Sequence, residues 1–260
     1  MDREASRQSG FGPIVRVEHL TAGYGEKMVV KDISFDVQSG EVFVILGGSG
    51  SGKSTVMKHM IGLYRPAAGR ILIDGSDIVA AEGPARLQIL RKFGVLYQNG
   101  ALFGSMTVLD NIRLPLEEYT DLPDSAMDLI AMMKLQLVGL KGVANAMPSE
   151  LSGGMQRRAA LARAMVLDPQ ILFLDEPSGG LDPIISAELD HLILSLARNL
   201  NITFVIVSHE LSSIYTIADR VILLDKNSGR IIAAGDPKQL KEHSDNPYVR
   251  RFLNREAAAD

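Results

Sequence analysis

The chain has 260 residues, 46% hydrophobic and 22% charged, which suits one domain with a substantial core or one domain carrying an insertion. A net charge of −4 argues against nucleic acid as a partner, and the lack of cysteine excludes disulfides, thiolate nucleophiles and Cys-based metal sites. Residues 1–12 lack the apolar core of a signal peptide, and the longest apolar runs fall far below the roughly 18–20 residues that cross a bilayer.

In chain order, residues 1–13 read as a flexible tail. Residues 14–17 alternate apolar and polar, and the pattern resumes over 28–37 after a Gly-rich turn, which predicts antiparallel strands. Tyr24 in that turn (Ala-Gly-Tyr-Gly) has two readings: its ring stacks on adenine, or it packs its own hairpin. The run 42–46, Val-Phe-Val-Ile-Leu, predicts a buried strand, and 54–63 predicts a helix. Between them lie Gly47, Gly48, Ser49, Gly50, Ser51, Gly52, Lys53 and Ser54, the Gly-x-x-x-x-Gly-Lys-Ser phosphate loop in a strand-to-helix context. Glycines there let the backbone curl round an oxyanion, and the helix presents its positive end to it. In such a loop Lys53 reaches β and γ oxygens, and Ser54 offers a hydroxyl to Mg²⁺.

A strand at 70–73 ends in the turn Asp74-Gly75, a helix follows near 84–91, and a short strand at 94–96 leads to Gln98. The Gln98 amide oxygen is a candidate Mg²⁺ ligand. From 99 to 163 the pattern turns helical, with a Met-rich stretch at 126–135, and reads as an inserted subdomain. Within it, Leu151, Ser152, Gly153, Gly154, Met155 and Gln156 open another helix with a Gly-rich N-terminus, a second anion site. In isolation this is an ordinary helix cap. One nucleotide needs only one such loop, however, so the second is best explained as serving the nucleotide of a partner subunit.

The strand at 171–174 ends in Asp175 and Glu176, at the strand end where ligands gather in parallel α/β sheets. Asp175 is placed to hold Mg²⁺, and Glu176 to accept the proton of an attacking water. A helix at 183–200, a strand at 202–207 followed by His209, a helix at 211–218 and a strand at 221–224 continue the alternation. Together they predict a mainly parallel sheet with helices on both faces. His209 follows a strand and is a candidate γ-phosphate contact. Residues from about 236 onward read as a helical, charged tail.

Taken in order, Tyr24, the phosphate loop, Gln98, 151–156, Asp175-Glu176, 178–182 and His209 resemble the nucleotide-binding domain of ABC transporters over roughly residues 14–235. The resemblance implies an α/β P-loop NTPase with a mainly parallel core sheet, N-terminal antiparallel strands and the helical insertion, spanning 14–240. It implies ATP held by Tyr24 and residues 47–55, including Thr55. Mg²⁺ would sit on Ser54, Gln98 and Asp175, and hydrolysis would use Glu176, His209 and Gln98. It also implies a head-to-tail homodimer in which 151–156 act on the partner's ATP, driving transmembrane permease subunits. The family's D-loop often reads Ser-Ala-Leu-Asp; here Ser178-Gly179-Gly180-Leu181-Asp182 keeps Asp182 and adds backbone freedom.

Residues 95–108, with Gly100-Ala101-Leu102-Phe103 at their centre, are similar to the ATPases of MCE-type lipid transporters, the branch that maintains outer-membrane lipid asymmetry. So are 133–140, 208–214, 219–221 and 247–253. That likeness implies an ATPase powering phospholipid movement at the cytoplasmic face of the bacterial inner membrane, with an MCE-domain partner. In that branch the tail, here 241–260, can contact the partner ATPase. Polar amino-acid importers share the Leu-Phe…Met-Thr-Val skeleton without Gly-Ala. A non-transport ABC ATPase regulating cell division is the other alternative.

Overall fold

The structure is a computed structural model and describes residues 12–25 and 27–256. Most of the tail expected over 1–13, and the last four residues of the C-terminal segment, lie outside the described residues. β1 (Val15–Tyr24) pairs antiparallel with β2 (Lys27–Val37). β3 (Val42–Gly47) runs into α1 (Lys53–Met60), after which β4 (Ala68–Ile73) and the short β5 (Ser76–Asp77) complete an antiparallel sheet ordered β2-β1-β4-β5. α1 stops three residues before the expected end at 63. Gly62 turns left-handed (φ 70°) and the amides of Gly62 and Leu63 bond back to the carbonyls of His59 and Lys58, closing the helix.

α2 (Gly83–Leu90) leads to β6 (Phe93–Leu96), and the helical stretch follows as α3 (Val108–Tyr119), α4 (Asp124–Leu137) and α5 (Gly153–Ala164). Thr107 and Asp110 start α3 with a reciprocal cap: the Thr107 hydroxyl accepts from the Asp110 amide at 3.1 Å and the Asp110 carboxylate accepts from the Thr107 amide at 3.2 Å. Alternation then resumes with β7 (Ile171–Asp175), α6 (Pro183–Leu200), β8 (Thr203–Val207), α7 (Leu211–Ile217) and β9 (Arg220–Leu224). β10 (Ile231–Gly235), α8 (Pro237–His243) and α9 (Pro247–Asn254) end the described chain. β10 has no counterpart in the sequence reading. Its five residues, Ile-Ile-Ala-Ala-Gly, are short and only half-buried, and they form a strand by pairing antiparallel with β9 at the sheet edge.

The main sheet runs β10-β9-β3-β8-β7-β6 and is parallel except for β10. β3, β7 and β8 are buried at every position, which is why their sequences are continuous apolar runs rather than alternating ones. Alternate side chains go to opposite faces. Val42, Val44 and Leu46 join the core formed with the helices, whereas Phe43 and Ile45 join the core shared with α1 and the antiparallel sheet. Among the described residues no helix is long and apolar enough to cross a membrane.

One buried acid sits in the helical layer. Asp190 of α6 is 5% exposed and bonds to Ser213 of α7. Burial pushes its carboxyl above the ordinary range, with the Ser213 bond opposing. A raised folded-state value means that the native state holds its proton longer than the unfolded chain, so stability falls as pH rises through that interval. Asp190→Asn is therefore expected to melt above the parent at pH 7, the gap closing towards pH 4. A variant that melts lower at pH 7 than at pH 4, relative to parent, would show the charge to be stabilising.

Candidate active site

Strand register brings the candidate residues to one edge. Ile45 of β3 aligns with Val207 of β8, and Val207 aligns with Asp175 of β7; Leu174 aligns with Leu96 of β6. The residues just past these positions are the phosphate loop, His209, Glu176 and Gln98. A cavity of about 560 Å³ at that edge is lined by Gly47, Gly48, Ser49, Gly50, Lys53 and Ser54 of the loop, together with Gln98, Glu176 and His209. Three segments far apart in sequence thus meet round one glycine-rich loop.

Gly52, at the N-cap of α1, adopts φ 99°, and a Cβ there would lie 2.8 Å from the Val29 and Val30 methyls, so only glycine fits. The Lys53 ammonium is buried and donates to the Gly47 and Gly48 carbonyls at 2.9 and 3.2 Å. Burial lowers its pKa, while Glu176 and Asp175 pull it back up. A desolvated cation whose hydrogen bonds go to neutral carbonyls suits a polyanion. Ser51 Oγ is buried without a partner beside it, a polar atom awaiting one.

The Ser54 hydroxyl donates to Asp175 Oδ1 at 3.1 Å. Asp175 is 7% exposed, and burial raises its carboxyl above the usual range, Glu176 adding to the shift and the Ser54 bond opposing it. A divalent cation beside Asp175 would reverse that shift. The hydroxyl of Ser54, the carboxylate of Asp175 and the amide of Gln98 are the hard oxygen donors such an ion takes. Among the described residues no cluster of three His, Asp or Glu forms a metal cage, so the ion would draw its other ligands from phosphate oxygens and water.

Glu176 is the strained residue of the site. Its backbone is left-handed (φ 47°), held by its amide donating to the Val207 carbonyl at 2.8 Å. One carboxylate oxygen, Oε1, lies 2.8 Å from His209 Nδ1, whereas Oε2 is buried with no partner. A buried carboxylate on the wall of the cavity that the glycine-rich loop lines, with one oxygen free of hydrogen bonds, is a candidate proton acceptor.

Other candidates lie outside this cavity. Tyr24 is about half exposed, packs edge-on against Tyr64 (ring centroids 5.9 Å apart) and accepts a long hydrogen bond of 3.4 Å from Thr55 Oγ1. It stands at the α1 side of the loop. None of residues 151–156 lines the phosphate cavity. Gly153 and Gln156 line a separate cavity of about 310 Å³ with Asn99, Arg157 and Leu181. Ser152 caps α5, accepting from the Met155 amide at 3.3 Å, and Asp182 caps α6, accepting from the amides of Ile184 and Ile185.

Sequence reasoning missed four contributors. Asn111, fully buried in α3, donates to the carbonyls of Phe103, Met106 and Thr107 and accepts from the Phe103 amide. Arg163 of α5 donates to the carbonyls of Ala101 and Gly100. Together they fix the segment after Gln98, and a polar residue at an otherwise apolar helical position was the only available signal. Phe252 and Arg255, from the C-terminus, complete the cavity wall.

The ABC transporter family profile matches residues 30–179. Over 244 residues, 94% of this chain, it is 44% identical to the "Probable ribonucleotide transport ATP-binding protein mkl" of Mycobacterium leprae, covering 70% of that protein. Over 242 residues, 93% of this chain, it is 43% identical to the "Intermembrane phospholipid transport system ATP-binding protein MlaF" of Escherichia coli K12, covering 88% of it. The fold is similar to the dimeric, post-hydrolysis ATP-binding cassette MJ0796 bound to ADP and Pi, with TM-score 0.77 and 28% identity over 85% of this chain and 98% of that one. With an α/β P-loop core and a phosphate cavity walled by Lys53, Gln98, Glu176 and His209, this chain belongs to the ABC transporter family as an ATP-binding, ATP-hydrolysing subunit.

Proposed function

We propose that this chain powers phospholipid movement across a bacterial cell envelope, working as a head-to-tail pair at the cytoplasmic face of the inner membrane. Its partners would be transmembrane permease subunits and an MCE-domain lipid-binding protein. The observation that carries the ATPase chemistry is the contact of Glu176 with His209 in one cavity with Lys53. The substrate class rests on the kinship with MlaF, which extends along nearly the whole of that protein. The kinship with mkl runs over less of its length and makes ribonucleotide the rival cargo.

In this reading the loop amides and Lys53 hold the β- and γ-phosphates, residues 47–55 cradle the nucleotide, and Tyr24 stacks on adenine. Ser54, Gln98 and Asp175 would hold Mg²⁺, which when bound would supply charge neutralisation at the phosphate oxygens. Glu176 takes the proton of the attacking water on Oε2, and His209 keeps the carboxylate oriented through Oε1. Within one chain the signature residues 151–156 do not reach this cavity, which supports their acting on the ATP of a second copy, with Asp182 in the joining loop. The domain spans 14–240, the helices between 99 and 163 forming the subdomain that meets the permease.

Tagged Glu176→Gln protein with ATP, captured from detergent-solubilised membranes and analysed by mass spectrometry of proteins and lipids, tests the transport reading. Recovery of an MCE-domain protein, a permease and phospholipid is the expected result. A ribonucleotide or polar amino-acid permease, or a division protein, in their place would overturn the substrate class and leave the ATPase chemistry intact.

A further inference from the structure

The C-terminal helix reaches the phosphate cavity of its own chain. α9 buries Val249 and Leu253 completely or nearly so, and the Tyr215 hydroxyl of α7 donates to the Leu253 carbonyl at 2.6 Å. α7 begins two residues after His209, so this docking indexes the end of α9 to the His209 loop. The last turn and the left-handed Arg255 that ends it (φ 57°) arrive at the cavity, where Phe252 and Arg255 stand on the wall with Gln98, Glu176 and His209.

The Arg255 guanidinium is only loosely held within its own chain. Its side chain is 62% exposed and its carboxylate neighbour, Glu210, lies 4.0 Å away, too long for a strong hydrogen-bonded pair. It also lines the adjoining cavity of about 680 Å³, which shares Gln98 and His209 and holds the buried cation Arg157. A forked donor on the wall that Glu176 and His209 share, in a cavity that Tyr24 does not line, matches the position of a terminal phosphate rather than of a base.

We propose that Arg255 contacts the γ-phosphate of ATP bound to the phosphate loop of its own chain, making the C-terminal helix part of the nucleotide site. This rests on the ATPase reading above. On it, the tail senses which nucleotide is bound: Arg255 gains the γ-phosphate as a partner with ATP and keeps only the Glu210 carboxylate, 4.0 Å away, when ADP remains.

Calorimetric titration of the full chain with the non-hydrolysable β,γ-imido analogue of ATP and with ADP, each with Mg²⁺ at fixed ionic strength, tests this. Arg255→Ala is expected to weaken the triphosphate about tenfold while leaving ADP within about twofold, and Arg255→Lys to recover part of the loss. Equal weakening of both nucleotides would mean a structural role, and unchanged affinity for both would mean no contact; either overturns the proposal. If the parent chain binds neither nucleotide, the ATPase reading itself fails.

Discussion

Glu176→Gln is expected to lower ATP turnover by about 10²-fold or more while leaving ATP affinity within a few-fold of the parent. The substitution keeps the shape of the side chain and an oxygen for the His209 contact at 2.8 Å, but removes the basic lone pair on Oε2. Because Oε2 is buried and unpartnered, no neighbouring group takes over its role as acceptor. On the proposed reading binding depends on the loop and Lys53, which the change leaves in place. Steady-state phosphate release beside equilibrium ATP binding checks both halves. Turnover at the parent rate would remove Glu176 from the proton transfer.

Lys53→Ala is expected to weaken ATP binding by about 10²-fold or more. Lys53 is 8% exposed and its ammonium is desolvated at a loss to its own pKa, a cost the fold bears without a carboxylate hydrogen bond in return. Hydrogen bonds to charged groups are worth about 1.5–3 kcal/mol each, so losing those to β and γ oxygens accounts for a loss of this size. Isothermal titration with ATP is the measurement. An affinity within threefold of the parent would place the phosphates elsewhere.

The core and the clustering of the candidate residues at one sheet edge were legible because their signals are local. Continuous apolar runs at 42–46 and 171–174 marked strands buried on both faces, and motifs directly after those strands had to fall at one sheet edge once the strands ran parallel. Elements that depend on distant partners were not legible. β10 is a strand only because β9 lies beside it. Asn111 reads as one polar residue in a helix, and its work is to satisfy carbonyls of the loop four to eight residues earlier. The tail's helical pattern was visible, with Val249 and Leu253 four apart, but where that face docks is set by Tyr215. Ser152 and Asp182 show the converse: residues singled out for a role in subunit pairing also cap the helices they begin, so their presence has a structural reason as well.

Light scattering of purified Glu176→Gln protein with and without ATP decides whether two chains pair round ATP. The mass is expected to double on adding ATP, and not to double, with ATP still bound, when Ser152→Arg is added to the same chain. A Glu176→Gln protein that binds ATP and keeps the mass of one chain would contradict that pairing.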